Sequence, residues 1–211
     1  MKFLRLMAIS LLSLISLIVI LSCESTDDVV STHSSQLGMA WQGISFGDYN
    51  PAKSCEDQVC ACFTSLKITV SKVMLQRIDI DGTEPFDLYG GKSYTFDAKV
   101  NANGNFFTIP DLPMTLDPGI YQLQSIMIDK VQASPDISGN GNLGLNDAPP
   151  TSAYLNLQLG AYCSDTLNLQ EGWSKILRAE FSCTESIRYN KSTKRFTFFP
   201  IIYIQEPHCV Y

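Results

Sequence analysis

The chain has 211 residues, and its 15 basic and 21 acidic side chains give a formal net charge of −6. Apolar residues make up 45% of the sequence, which is enough for a buried core of ordinary size. The acidic balance, without a run of Lys or Arg to offset it, is unsuited to phosphate backbones. We therefore predict no nucleic-acid partner.

The first 22 residues predict a secretory signal peptide. Lys2 and Arg5 provide the positive start, and an apolar segment follows from Leu6 to Leu21. About 16 apolar residues are few for a helix that must cross roughly 30 Å of hydrocarbon. The alternative is an uncleaved transmembrane helix. Cleavage would remove both basic residues and leave 13 basic against 21 acidic side chains, a net charge of −8.

The end of this segment, Ile20-Leu21-Ser22-Cys23, resembles the lipobox of bacterial lipoproteins. The resemblance implies cleavage before Cys23 and lipidation of that cysteine. Two or more acyl chains hold a protein stably on a membrane, where one chain would be marginal. We therefore expect a membrane partner through the N-terminal lipid, and an outer-membrane location.

Residues 23–36 predict a lipidated N-terminus and a flexible acidic tether. The segment from Glu24 to Gln36 is polar and rich in Ser and Thr, so it cannot bury enough apolar surface to fold alone. Glu24, Asp27 and Asp28 resemble the acidic export signal of surface lipoproteins in the Bacteroidota. That resemblance implies exposure on the cell surface, and an ordinary solvated linker is the alternative. The predicted division is thus 1–22, 23–36 and 37–211.

The remaining residues predict a series of short strands separated by turns. The predicted strands are 65–80, 93–100, 106–109, 120–131, 153–159, 166–169, 175–182 and 196–205. Asp81-Gly82 and Asp117-Pro118-Gly119 are turn signals. Residues 120–131 carry apolar groups on both faces, which favours a central strand. Pro200 indicates a bulge or an edge position, and residues 171–180 could hold one or two helical turns.

Strands with turn signals every 8–12 residues predict an all-β fold, here a single antiparallel β-sandwich. The segment from Leu116 to Leu123 also resembles the L-x-P-G-x-Y-x-L strand-turn-strand of transthyretin-like sandwiches. Leu116, Pro118, Gly119, Tyr121 and Leu123 match it. The resemblance implies a transthyretin/Ig-like sandwich of a kind found in surface lipoproteins, including fimbrial anchoring subunits.

The cysteine count favours disulfides. Lipidation of Cys23 leaves six of the seven cysteines, an even number in an exported domain. The disulfide candidates are Cys55, Cys60, Cys62, Cys163, Cys183 and Cys209. On one face of a strand, Cys60 and Cys62 could not easily bond each other, so we expect different partners, one toward the C-terminal region. The alternative is a metal site of Cys55, Cys60, Cys62 and His208, whose spacing does not match zinc knuckles.

The segment from Asp136 to Asp147 follows the spacing of a calcium loop. Oxygen ligands fall at positions 1, 3 and 5, glycine at position 6 and a carboxylate at position 12. The candidate ligands are Asp136, Ser138, Asn140, Asn142 and Asp147. Calcium is thus a possible cofactor, and a Gly/Asn-rich surface loop is the alternative.

Catalytic motifs are scarce, so we predict that the chain is not an enzyme. Its two histidines, His33 and His208, accompany no nucleophile elbow, metalloprotease motif or phosphate loop. The leading hypothesis is an envelope adhesion or assembly component of the pilus-accessory type, with envelope proteins as partners. A glycan-binding accessory for nutrient uptake is the second hypothesis, and a carboxylate-dependent hydrolase is the third. The glycan hypothesis uses the aromatic residues Trp41, Phe46, Tyr49, Tyr89, Tyr154, Trp173 and Tyr189.

Overall fold

The computed structural model describes residues 34–109, 112–134, 151–158, 165–193 and 195–205. Most of the secondary structure in these residues consists of short strands. The strands are β1 (Ser35–Ile44), β2 (Ser65–Arg77), β3 (Phe86–Asp87), β4 (Tyr94–Asp97), β5 (Phe107–Thr108), β6 (Met114–Leu116), β7 (Gly119–Ser134), β8 (Thr151–Ser152), β9 (Tyr154–Gln158), β10 (Thr166–Leu169), β11 (Ser174–Ser182), β12 (Ile187–Asn190), β13 (Arg195–Phe198) and β14 (Ile201–Gln205). The helices are a 3-10 turn (Cys55–Asp57), α1 (Val59–Cys62) and α2 (Cys183–Ser186).

Two sheets contain most of these strands. The first sheet has the order β5-β1-β11-β14-β9, with β6 also paired to β1. The second has the order β10-β7-β2-β3, with β8 also paired to β7 and β4 also paired to β2. Strands β12 and β13 form a separate hairpin. Because β7 and β2 are both flanked by other strands, the prediction that 120–131 is a central strand is confirmed.

The all-β class is confirmed, but the expectation of purely antiparallel pairing is wrong in two places. β1 pairs in parallel with β11, and β9 pairs in parallel with β14. Parallel neighbours need a long crossover between them. The connection from β1 to β11 contains all six strands of the second sheet, so the chain completes that sheet before it returns to the first.

One hydrophobic core lies between the two sheets. Trp41 of β1 stacks on Phe96 of β4 with 5.1 Å between ring centroids. Its indole N–H donates a hydrogen bond to the Tyr89 hydroxyl at 2.7 Å. Burial raises the pKa of Tyr89, which stays a neutral partner for the indole. Trp41 therefore joins the sheets through both apolar packing and a buried hydrogen bond.

β1 has no counterpart among the predicted strands. It is buried along almost its whole length, so it lacks the alternation by which a half-exposed strand is recognised. It also begins at Ser35, inside the segment predicted as tether. Gly43 near its end is required by packing, since a Cβ there would overlap the carbonyl oxygen of Ala98.

β7 shows why simple alternation fails in a long strand. Its buried positions run Tyr121, Leu123, then Ile126, Ile128, then Val131, so the phase changes twice. At both places the pairing with β2 skips a residue of β7. Each bulge adds one residue and turns the following side chains to the other face. The apolar residues predicted on two faces therefore enter one core.

Three local predictions need correction or confirmation. Residues 171–180 do not form helical turns, because Ser174 onward is the buried strand β11. Pro200 ends the predicted strand 196–205 and divides it into β13 and β14. The turn at Asp81-Gly82 is confirmed, and Gly82 adopts a φ of 77°, which favours glycine.

Candidate binding surfaces

Several predicted site residues lie outside the described residues, and the hypotheses on them stay predictions. These are the lipidation site Cys23, the cysteines Cys163 and Cys209, and the calcium-loop residues Asp136, Ser138, Asn140, Asn142 and Asp147.

Four of the predicted cysteines form two disulfides. Cys55 bonds Cys62, and Cys60 bonds Cys183 across a sequence separation of 123 residues. Cys60 and Cys62 thus have different partners, and Cys60 reaches the C-terminal half, as expected. The expectation that these two cysteines lie on one face of a strand is wrong, because both lie in the helical turn α1. The alternative metal site loses three of its four ligands to these bonds.

The disulfides define one end of the domain, which we call the disulfide end: residues 45–63, 97–101 and 183–191. A groove of about 400 Å³ runs between the α1 region and the α2–β12 region. Lys191 and Asp57 form an ion pair across it, and the Tyr189 hydroxyl donates to Glu56 at 3.3 Å. The hydrogen bond from Lys191 lowers the pKa of Asp57, so the pair stays charged.

Asp97 fixes the backbone at the disulfide end. Its Oδ1 accepts hydrogen bonds from the N–H groups of Leu66 at 3.0 Å, Lys99 at 3.1 Å and Val100 at 3.2 Å. The Ser65 hydroxyl donates to Oδ2. Burial raises the pKa of the Asp97 carboxyl, but the hydrogen bonds outweigh burial and the pKa falls below its ordinary value. The carboxylate therefore joins the turn after β4 to the start of β2.

The opposite end is the one where β1 begins, and we call it the Ser35 end: Ser35 and residues 77–84, 117–120 and 170–173. The Ser35 hydroxyl donates to the Gln170 carbonyl oxygen at 2.6 Å. The Ile78 N–H donates to the Ile120 carbonyl oxygen at 2.8 Å. The first bond joins β1 of the first sheet to the loop after β10 of the second, and the second bond joins the end of β2 to the start of β7.

A second groove, of about 560 Å³, lies at the Ser35 end. The Arg77 guanidinium donates to both carboxylate oxygens of Asp79, at 2.8 and 3.1 Å, and lies 3.9 Å from Asp117. The Asp79 pair raises the pKa of Arg77, and Arg77 lowers that of Asp79. The Tyr121 hydroxyl donates to the Asp117 carbonyl oxygen at 2.8 Å. Arg77 is therefore paired with both Asp79 and Asp117 at this groove.

Four large apolar side chains at the Ser35 end are exposed to solvent. The exposed fractions are 42% for Ile78, 48% for Ile80, 37% for Ile120 and 42% for Trp173. The Lys175 ammonium lies 4.7 Å from the centre of the Trp173 ring. Sequence reasoning missed this surface because Ile78 and Ile80 continue the β-like pattern of β2. The sequence feature that could have indicated this surface is the alternation of Ile78 and Ile80 with aspartates, which begins where β2 ends.

The aromatic residues of the glycan hypothesis do not form one platform in the described part of the chain. Trp41, Phe46 and Tyr89 are core residues. Tyr49 is 60% exposed and follows the end of β1, whereas Trp173 lies at the Ser35 end. Of the members whose exposure the structure describes, the two most exposed therefore lie at opposite ends of the domain.

Within the described ranges, no cluster of three or more His, Cys, Asp or Glu side chains could hold a metal ion. The same ranges contain no helix with the length and apolarity needed to cross a membrane. No protein-family model matches the chain, and no curated protein or solved structure matches it.

Proposed function

We propose that the chain is an exported envelope lipoprotein, held to the outer membrane by lipid on Cys23, and that its folded domain works by binding. Its role would be that of a surface adhesion or assembly component. The fold would be a transthyretin-like sandwich, and the partner would bind at the disulfide end, the end away from the tether.

The observation that carries this proposal is the pair of disulfides. Cys60, Cys62 and Cys183 are buried and bonded, and such structural disulfides persist in oxidising compartments outside the cytoplasm. An oxidising location agrees with export by the predicted signal. The two bonds use four of the seven cysteines and do not involve Cys23.

The strand-turn-strand around Tyr121 supports the transthyretin-like fold. Leu116, Tyr121 and Leu123 are buried, and the Tyr121 hydroxyl bonds the backbone four residues upstream. In Ig-like sandwiches a tyrosine closes a strand corner in the same manner. The burial of three of the five matched residues supports this part of the proposal.

The placement of the tether supports the choice of the disulfide end for partners. β1 has 10 residues and starts at the tether, so its far end is about 33 Å from the entry point. The disulfides hold the walls of the groove there, which lowers the entropy lost when a partner binds. A lipid-anchored domain would present this rigid end outward.

Lipidation is tested by metabolic labelling with radioactive palmitate. We expect the wild-type chain to carry label and to fractionate with membranes, and Cys23→Ser to lose both. Ser22→Ala keeps a small residue at the cut and is the matched control, which should label normally. Full labelling of Cys23→Ser would contradict the anchor.

Partner binding is tested by site-specific photocrosslinking on intact cells. A photoreactive residue at exposed Asp48, which lines the disulfide-end groove, should give discrete adducts. The same residue at exposed Lys72 on β2 is the matched control and should give none. Adducts from Lys72 alone would place the partner on the second sheet and reject the proposed surface.

A glycan-binding accessory is the second candidate, favoured by the exposed ring of Trp173. Sugar rings stack on such aromatic faces, and a glycan array tests it directly. Specific binding that Trp173→Ala abolishes and Tyr49→Ala leaves intact would support glycan recognition over the adhesion role.

A further inference from the structure

The exposed apolar residues of the Ser35 end lie where the tether enters the domain. Ile78 and Ile120 are neighbours through their backbone hydrogen bond, and Ile80 follows in the same turn. Trp173 is tied to the entry point, because its carbonyl oxygen accepts the N–H of Gln36 at 2.7 Å. Four exposed apolar side chains lie at this end, three on loops and Ile120 at the start of β7, and such a surface indicates a contact with something other than water.

We propose that the Ser35 end is a membrane-contact face, with Trp173, Ile78, Ile80 and Ile120 at the interface between lipid and water. This inference rests on the proposed lipidation of Cys23. It goes beyond that function because it gives the domain a fixed orientation, with the disulfide end outward, instead of free rotation on its tether.

The length of the tether makes this contact the expected one. Ser35 follows Cys23 by twelve residue positions, so the full reach of the chain between them is about 40 Å. The disulfide end lies about 33 Å beyond Ser35 along β1. The anchor therefore keeps the Ser35 end within about 40 Å of the membrane, whereas the disulfide end can lie farther away.

The chemistry of Trp173 suits a membrane interface. Tryptophan is enriched at the head-group level, where its ring is partly apolar and its N–H reaches water. The Lys175 ammonium above the ring can extend toward the head groups while its methylene chain follows apolar surface. Isoleucine side chains beside them supply the apolar area that drives shallow insertion.

The charge of this end selects the kind of lipid surface. Residues 77–84, 117–120 and 170–175 contain five acidic and two basic side chains. An anionic leaflet would repel such a face, so the contact is made with a zwitterionic surface and depends on apolar burial. The negative net charge distinguishes this face from the basic patches that usually hold proteins on membranes.

The chain carries its own reporter for the test. It has two tryptophans, and Trp41 is 1% exposed in the core, whereas Trp173 is 42% exposed. The acylated full-length chain is reconstituted in phosphatidylcholine vesicles brominated on the acyl chains. We expect loss of most of the emission that Trp173 contributes, measured as the difference from Trp173→Phe. Replacing part of the lipid with anionic phosphatidylglycerol at low salt should restore part of the Trp173 emission, because the acidic face would be repelled.

Three variants separate a true contact from mere proximity. Ile78→Ser with Ile80→Ser should reduce the quenching, whereas Val100→Ser, a 60% exposed site at the disulfide end, should leave it unchanged. A 20-residue Gly/Ser insertion after His33 should also leave it unchanged, because the face binds by itself. Loss of quenching on insertion would overturn the proposal.

The two proposals fail in different ways. A chain without palmitate overturns the anchor and the membrane face together. An acylated chain that floats with vesicles and keeps full Trp173 emission overturns the membrane face alone. If Trp173 is quenched only when a second envelope protein carrying a spin label is added, the Ser35 end binds protein and not lipid.

Discussion

The two ends of the domain are built in different ways. The disulfide end has two cross-links, a carboxylate that accepts four hydrogen bonds and a glycine packed against a neighbouring carbonyl. The Ser35 end is held by hydrogen bonds and exposes four large apolar side chains. The disulfide end is the cross-linked end that carries the proposed partner groove, and the Ser35 end exposes the apolar side chains proposed for membrane contact. Substitutions that remove the cross-links should therefore unfold the domain, and those at the exposed residues of the Ser35 end should change its membrane contact.

The largest effect should come from the long-range disulfide. Cys60→Ala with Cys183→Ala opens a loop with a separation of 123 residues, for which loop-closure entropy gives about 5 kcal/mol. Cys55→Ala with Cys62→Ala opens a loop of separation 7, worth about 2.5 kcal/mol. Denaturant unfolding of the oxidised proteins measures both. Equal losses would show that the long cross-link adds no more than the local one.

A third disulfide is expected between Cys163 and Cys209, both outside the described residues. β9 and β14 are parallel neighbours with Gln158 opposite Gln205, so the chain leaves both strands at one edge. Cys163 follows Gln158 by five residues and Cys209 follows Gln205 by four. Non-reducing peptide mapping should recover this pair, and its removal should cost about 4 kcal/mol by the same entropy. Two free thiols in the mapped protein would reject it.

Gly43→Ala should be the most damaging single substitution in β1. The new methyl group would overlap the backbone oxygen of Ala98, which cannot move without shifting β4, so we expect a loss of about 2–3 kcal/mol. Gly38→Ala is the matched control, because its Cβ would lie 3.4 Å from Ile176. Thermal unfolding should separate the two. A destabilised Gly38→Ala would mean that β1 tolerates no added volume anywhere.

Much of the second sheet was predictable from sequence, and much of the first was not. β2, β7 and β10 are rich in β-branched and apolar residues between strong turns, so local chemistry identifies them. β1 is buried along its length by partners more than 45 residues away, and no local pattern reveals it. The same limit applies to Cys60 and Cys183, whose pairing depends on the crossover between the sheets.

Asp97→Asn should have a moderate effect that depends on pH. The carboxylate accepts four hydrogen bonds, and the neutral amide of asparagine would accept them more weakly. The substitution should therefore lower the free energy of unfolding by about 1–2 kcal/mol at pH 7. Because the folded pKa is lowered, this stability is present above the unfolded value near 4 and is lost as pH falls through the folded pKa. Urea unfolding from pH 7 to pH 3 should show a smaller acid dependence in the variant. Asp81→Asn, at an exposed turn, is the control.

The smallest effect on folding should come from the Ser35 end. Ile78→Ser and Ile120→Ser replace side chains that are 42% and 37% exposed, so each should change the free energy of unfolding by less than about 1 kcal/mol. Leu75→Ser is the contrasting variant, because Leu75 lies in β2 three residues before Ile78 and is only 1% exposed. It should lower the free energy of unfolding several times more. Denaturant unfolding provides the measurement. If Ile78→Ser matched Leu75→Ser, the Ser35 end would be part of the stabilising core, and its exposed residues would not be free to serve as a contact face.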